Sequence, residues 1–316
     1  MDTKTLIAVE NLYRYYGHHL AVDAISFELS QGEVLGFLGP NGAGKSTTMQ
    51  MITGNLAPSA GRIAINGIDL LDRPRLAKAE IGYLPEQPPV YPDLTVDEYL
   101  SYCARLHRVG KNRRGPAVSA AMRRCGLDGT GRRLIGTLSK GYQQRVGIAQ
   151  AILHSPAVVI LDEPTVGLDP NQIRDIRLLI RELGESHGII LSTHILPEVQ
   201  ATCTRVQIIH RGRMVFAESM QTLQQRLSGK SLVLETGKPL DIGTLAELEA
   251  ITTVDALDER RARLHFAGDN PAADIAACVA RHDWGLVELA LDRQTLEQVF
   301  VELTCSEDSA AEAAAA

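Results

Sequence analysis

Unbroken apolar runs alternate with polar, breaker-rich stretches along most of this chain. Val34-Leu35-Gly36-Phe37-Leu38, Ala157-Val158-Val159-Ile160-Leu161 and Gly188-Ile189-Ile190-Leu191 contain no polar side chain, the pattern of strands covered on both faces in a parallel sheet. Leu6-Ile7-Ala8-Val9 and Ala24-Ile25-Ser26-Phe27-Glu28-Leu29, with polar breaks between them, read as antiparallel strands. Ile63-Ala64-Ile65 and Ile68-Asp69-Leu70 flank Asn66-Gly67, which predicts a two-residue hairpin. Residues 45–53 meet no breaker until Gly54 and predict a helix.

The stretch 88–138 differs in character. Thr95 and Glu98 have capping-box spacing, and Val96, Tyr99, Leu100, Cys103 and Leu106 repeat with helical period. A second helix is expected over 116–125, so this stretch reads as a helical insertion in an α/β core. Beyond residue 225 the pattern becomes strand 232–235, helix 245–251, strand 253–256, strand 262–266, helix 271–281, strand 286–290 and helix 295–303. That β-α-β-β-α-β order predicts a small ferredoxin-like α+β domain over 226–305. Residues 306–316 are small and acidic and predict a frayed, flexible tail.

At 316 residues the chain is long for one core, and two domains are expected. Net charge −6 and pI 5.9 lack the basic signature of a nucleic-acid binder. No apolar run approaches the ~18 residues of a membrane helix, and the first residues lack a secretory pattern. The chain is therefore expected in the cytoplasm, with membrane work done through a partner. Its five cysteines are scattered without C-x-x-C or zinc spacing and read as reduced thiols.

Candidate chemistry centres on Gly39-Pro40-Asn41-Gly42-Ala43-Gly44-Lys45-Ser46-Thr47, which fits G-x-x-x-x-G-K-[ST] between a strand and a helix. Gly42 and Gly44 let backbone N–H groups turn toward an anion, Lys45 places a cation at the β/γ-phosphates, and the Ser46 hydroxyl suits Mg²⁺. The implied ligand is a nucleoside triphosphate. Asp162 ends its strand as the expected Mg²⁺ partner, and Glu163 follows as the candidate general base. His194 ends another strand and is expected at the γ-phosphate. An exposed tyrosine in Tyr15-Tyr16-Gly17 offers a ring for a purine.

With these residues the chain resembles an ATP-binding cassette (ABC) ATPase over residues 5–225. Leu138-Ser139-Lys140-Gly141-Tyr142-Gln143-Gln144-Arg145 resembles the L-S-G-G-Q signature, Ile160 to Pro164 the second nucleotide motif, and Gly167-Leu168-Asp169-Pro170 the loop that crosses the dimer. His194 matches the switch histidine. The resemblance implies a P-loop NTPase fold with an antiparallel β subdomain and a helical subdomain at about 88–138, forming a nucleotide-binding domain over 1–225. It also implies ATP and Mg²⁺ as cofactors and two cassettes packed head to tail. Ser139, Lys140, Gly141 and Tyr142 would then meet the γ-phosphate held by the opposite chain. Tyr16 would stack on adenine, and Asp169 would tie the two sites together. Three positions depart from the pattern: Glu86 stands where the family has a Mg²⁺-linked glutamine, and Lys140 and Tyr142 replace a glycine and a glutamine.

The 286–303 stretch, with Leu296-Glu297-Gln298-Val299-Phe300, resembles the end of cassettes serving ABC-2 exporters of gliding-motility, copper-maturation and drug-efflux type. Expected partners are a second copy or a close relative, and a separate integral-membrane permease at the cytoplasmic face of the cell membrane. The alternative is a cassette whose membrane partner transmits force without transport. A soluble nucleic-acid- or ribosome-associated ATPase is disfavoured by the absence of a second cassette, a long coiled coil or a basic face.

Overall fold

The structure, a computed structural model, describes residues 4–227 and 230–292. The chain forms two compact units, the first ending at Met220 and the second beginning at Gln221. In order, the first contains β1 (Thr5–Tyr16), β2 (His19–Ser30), β3 (Val34–Leu38), α1 (Lys45–Ile52), β4 (Ala60–Ile65), β5 (Ile68–Asp69), α2 (Pro74–Ala79) and β6 (Ile81–Leu84). It continues with α3 (Val96–Leu106), α4 (Lys111–Arg124), a 3-10 turn at Ile135–Thr137, α5 (Lys140–Ile152), β7 (Val158–Asp162) and α6 (Pro170–Gly184). Then come β8 (Gly188–Thr193), α7 (Leu196–Thr202), β9 (Arg205–His210) and β10 (Arg213–Ser219), with α8 (Met220–Leu227) following.

Two sheets organise this unit. The six-stranded sheet has the order β10-β9-β3-β8-β7-β6, parallel except for the β9–β10 hairpin. Every residue of β3, β7 and β8 is buried, which is why those segments read as continuous apolar runs. The other sheet is antiparallel, β2-β1-β4-β5. α1 packs against β2 of one sheet and β7 and β8 of the other, and Met49, Met51 and Ile52 join one core with Ile7, Leu29, Phe37 and Ile160. The mostly parallel sheet with this helix on its face places the loops after β3, β7 and β8 at one edge, where ligands bind in open α/β sheets.

Local chemistry accounts for several boundaries. Asn66 and Gly67 both have positive φ, 50° and 76°, as a type I′ hairpin requires. The Thr95 hydroxyl accepts from the Glu98 N–H at 3.3 Å while the Glu98 carboxylate accepts from the Thr95 N–H at 2.9 Å, closing the capping box that starts α3. β1 and β2 run far longer than the short segments expected, meeting at a turn where Gly17 takes φ 59°. α4 begins at Lys111 rather than at Pro116. Pro116 lies inside this helix: Gly115 before it has no Cβ to collide with the ring, although Pro116 has no N–H to offer the Asn112 carbonyl.

The second unit contains β11 (Ser231–Thr236), α9 (Ile242–Ala246), β12 (Ile251–Ala256), β13 (Arg261–Phe266), α10 (Ala272–Arg281) and β14 (Leu286–Leu291). Its antiparallel sheet has the order β12-β13-β11-β14, a split β-α-β-β-α-β arrangement. Leu232, Leu234, Leu245, Leu264, Phe266, Ile275 and Val279 fill its core. α9 covers 242–246 instead of 245–251, because Asp241 caps it by accepting from the Gly243 N–H at 3.0 Å and the Thr244 hydroxyl at 2.8 Å. The expected helix over 295–303, the Leu296–Phe300 resemblance and the tail over 306–316 lie outside the described residues. Among the described residues no helix is long and apolar enough to cross a membrane.

Candidate functional site

The loop between β3 and α1 wraps the start of α1 with two left-handed glycines, Gly42 at φ 80° and Gly44 at φ 106°. Close packing restricts the loop further: a Cβ on Gly39 would lie 2.4 Å from the Ile209 carbonyl oxygen. Gly44 caps α1 with no side-chain hydrogen bond, and the first turn holds no acid. The N–H groups opening α1 are thus left for an anion, reinforced by the positive end of the helix dipole. Lys45 is nearly buried and its Nζ donates to the carbonyls of Gly39 at 2.7 Å and Pro40 at 3.1 Å. An ammonium has three protons, so one remains for a ligand oxygen. Burial lowers the Lys45 pKa, and the carboxylates of Glu163, Asp162 and Glu86 oppose that shift.

A cavity of about 400 Å³ opens over this loop. Asn41, Gly42, Gly44, Lys45, Ser46 and Thr47 line one side; Glu86, Glu163, Val166 and His194 line another; Tyr16, His19 and Ala21 complete it. Gly39, Pro40 and Ala43 hold the loop behind the lining: the Ala43 N–H donates to Pro40 at 3.2 Å and the Ala43 carbonyl accepts from Gly212 at 2.9 Å. Tyr16 is half exposed, with the Arg14 guanidinium 4.8 Å from its ring centroid. His19 pairs with Tyr16 across the β1–β2 turn, and sequence reasoning missed it because only the hairpin register brings it there.

Asp162 ends β7 beside Ser192 of β8. Its Oδ1 is buried without a hydrogen-bond partner. Burial raises its pKa, with the Glu163 and Glu86 charges adding to the rise and Lys45 opposing it. An orphaned carboxylate oxygen beside a lysine and a serine hydroxyl fits a divalent cation, which Mg²⁺ sites hold through one or two carboxylates plus phosphate oxygens. Among the described residues no cluster of three or more His, Cys, Asp or Glu could hold a metal by itself. Ser46 and Glu86 line the cavity, and Asp162 ends β7.

Glu163 takes φ 49°, a left-handed conformation that costs a non-glycine residue and clusters at functional sites. Its N–H donates to the Ser192 carbonyl at 2.8 Å. Its two carboxylate oxygens face different partners: Oε1 lies 2.7 Å from His194 Nδ1, and Oε2 accepts from the Thr193 hydroxyl at 3.2 Å. With Nδ1–H given to the carboxylate, Nε2 of His194 can donate to a phosphate only as the imidazolium.

A second carboxylate stands behind this one. Glu198 is 1% exposed and accepts from the Thr165 hydroxyl, while its Oε2 lies 3.4 Å from Thr193 Oγ1. Burial raises its pKa, the Thr165 hydroxyl opposing. Thr193 Oγ1 also accepts from the Ile195 N–H at 3.1 Å. Its single proton is therefore contested by two carboxylates, and a protonated Glu198 would direct it to Glu163. Sequence reasoning missed Glu198, since an acid in the first turn of a helix is ordinarily a solvated dipole partner.

The signature residues do not line the cavity. Ser139 is the N-cap of α5, with no side-chain cap bond and no acid in the first turn. A Cβ on Gly141 would lie 2.4 Å from Gln172 Oε1, and one on Gly167 would lie 2.2 Å from Lys140 Nζ. Tyr142 is exposed. Asp169 caps α6, accepting from the N–H groups of Asn171 and Gln172 at 3.0 Å each.

Residues 22–166 match a family model described as ABC transporter. YxlF of Bacillus subtilis, an uncharacterized ABC transporter ATP-binding protein, is 31% identical over 94% of this chain and 99% of its own. LnrL of Bacillus subtilis, a linearmycin resistance ATP-binding protein, is 30% identical over 95% of this chain and 98% of its own. Among solved structures, cbiO1 from Clostridium perfringens, part of the ABC transporter complex cbiONQ, superposes with a TM-score of 0.64 at 29% identity, covering 70% of this chain and 90% of that one. The phosphate loop closing on Lys45, the carboxylates ending β7 and these likenesses agree, and the chain belongs to the ATP-hydrolysing ATP-binding proteins of ABC transporters.

Proposed function

We propose that this chain is the ATPase subunit of an ABC-2-type exporter, working as a dimer of cassettes on a separate permease at the cytoplasmic face of a membrane. The convergence of Lys45, Ser46, Glu163 and His194 on one cavity carries the reading. ATP would lie with its phosphates against the N-terminus of α1 and Lys45, and its purine on Tyr16. Mg²⁺ bound by Ser46, Asp162 and Glu86 would neutralise charge on the β- and γ-phosphates. Glu163 would take a proton from the attacking water, with His194 and Thr193 fixing its carboxylate. Resistance-type relatives such as LnrL support the export reading, and the cbiONQ complex supports a partner on other chains.

The test is to tag the chain in its own organism, solubilise membranes in mild detergent and identify what co-purifies with ATP and without Mg²⁺. A partner of about six apolar helices with little mass outside the membrane is the expected result. A partner with few helices and a large external domain would replace transport by force transmission, and no membrane partner would sink both.

Glu198 would act as a positioning residue for Glu163. Glu198→Ala is expected to lower kcat about tenfold with little change in the KM for ATP. Glu198→Gln, which keeps a donor toward Thr193, should stay within about threefold of wild type. Equal losses in both variants, or none in the alanine variant at an unchanged melting temperature, would remove Glu198 from this role.

A further inference from the structure

Charge is segregated in this chain. The whole sequence is net −6, yet residues 99–127 contain no Asp or Glu and seven basic residues: Arg105, Arg108, Lys111, Arg113, Arg114, Arg123 and Arg124. The two at the far end of α4 sit among acids, Arg124 paired with Glu182 at 3.2 Å and Arg123 lining a cavity with Asp97 and Asp128. The other five cluster at the turn from α3 to α4. Arg114 is half-buried, its Nε donating to the Val109 carbonyl at 2.8 Å. Arg105, Arg108, Lys111 and Arg113 are exposed, and among the described residues none of these four forms an ion pair with a carboxylate.

The turn itself is built around this charge. α3 ends in a Schellman motif, with the Val109 N–H donating to Ala104 at 2.9 Å and the Arg108 N–H to Arg105 at 3.0 Å. The left-handed residue of that motif is ordinarily glycine, and here Arg108 occupies it at φ 57°. Between Arg105 and Arg108 the side chain of Leu106 is 61% exposed, while Val109 turns inward at 8%. Arg105 Nε also donates to the Ser101 carbonyl at 3.4 Å, so the tip of the hairpin presents four exposed cations, without a carboxylate partner among the described residues, around one projecting apolar side chain.

We propose that the α3–α4 tip is a docking surface for an anionic lipid bilayer, with Arg105, Arg108, Lys111 and Arg113 on headgroup phosphates and Leu106 entering the interfacial layer. Unpaired basic side chains seek a dense anionic surface, and the leucine in their midst gains only where that surface has an apolar layer beneath it. A nucleic-acid backbone supplies the charge and not the apolar layer. The choice of a bilayer rests on the proposed assembly with a membrane subunit. Purified chain and vesicles need no permease, so each reading can fail without the other.

The test sediments the full-length chain with vesicles of phosphatidylcholine containing phosphatidylglycerol and with vesicles of phosphatidylcholine alone. Binding to the anionic vesicles only is expected, lost at about 1 M salt, where the Debye length falls to about 3 Å. The combined variant Arg105→Gln, Arg108→Gly, Lys111→Gln and Arg113→Gln should bind them at least about 10²-fold more weakly, at roughly fivefold per charge. Its ATPase rate should stay at the wild-type value, and Arg108→Gly relieves the backbone, so loss of fold would not account for the loss of binding. Leu106→Ser should weaken binding and leave its salt dependence unchanged. Absence of binding to the anionic vesicles, or binding that the combined variant leaves intact, overturns the proposal. So does tighter, variant-sensitive binding to duplex DNA or RNA than to the vesicles.

Discussion

Glu163→Gln is expected to bind ATP at least as well as the wild type and to hydrolyse it at least ~10²-fold more slowly. The substitution is nearly isosteric. An amide oxygen can still accept from His194 Nδ1 and an amide group can still pair with Thr193 Oγ1, the two contacts made by the Glu163 carboxylate. The left-handed backbone at this position strains glutamine and glutamate alike, so the geometry of the loop should persist. What changes is the ability to take a proton from water and the negative charge facing the γ-phosphate. Loss of the base slows turnover, and loss of the charge removes repulsion of ATP, so a nucleotide-loaded closed dimer should accumulate. Turnover by phosphate release, nucleotide binding by filtration and assembly by size-exclusion chromatography measure the three effects separately. Phosphate release near the wild-type rate would transfer the role of base to another group.

The parts of this site written in contiguous residues were legible before the fold was known. Each depends on chemistry contained within a few positions: the phosphate loop on glycines and a lysine at fixed spacing, the α3 start on Thr95 and Glu98, the hairpin on Asn66-Gly67. The runs that became β3, β7 and β8 were legible because both their faces are covered, which leaves polar residues only at the ends of β7 and β8, as Asp162, Ser192 and Thr193. Residues whose surroundings come from distant elements were not. His19 reaches the cavity through the register of β1 on β2. Glu198 is met by Thr165 from the turn after β7 and by Thr193 at the end of β8. α9 was misplaced because the apolar pattern was weighed over its cap, Asp241. The charge of the α3–α4 tip was in the sequence throughout, hidden in a net charge of −6. Only its placement at one turn separates it from ordinary solvated arginines.

The cavity of one chain gathers the phosphate loop, Glu86, Glu163 and His194 but not Ser139, and that division gives the second large prediction. Ser139 stands at the start of a 13-residue helix whose first turn holds no acid and whose cap makes no side-chain bond. Those N–H groups and that dipole are what an anion seeks, and under the proposed dimer the anion is the γ-phosphate on the opposite chain. Ser139→Asp is then a divided substitution. An acidic N-cap stabilises its own helix by up to about 1 kcal/mol, so the fold should be kept or strengthened. The same carboxylate facing a triphosphate should lower turnover by about 10²–10³-fold, the scale of losing a preorganised contact to the transferring group. Lys45→Ala should be equally inactive for a different reason, since it empties the cavity of its cation. Mixing the two variants provides the decisive measurement: a mixed dimer has one site with an intact Lys45 from one chain and an intact Ser139 from the other. Turnover should rise at least about tenfold above either variant alone. If the mixture stays as inactive as its parts while both chains remain folded and exchange partners, ATP is not shared between two copies. Normal turnover by Ser139→Asp alone would mean that the start of α5 does not meet phosphate at all.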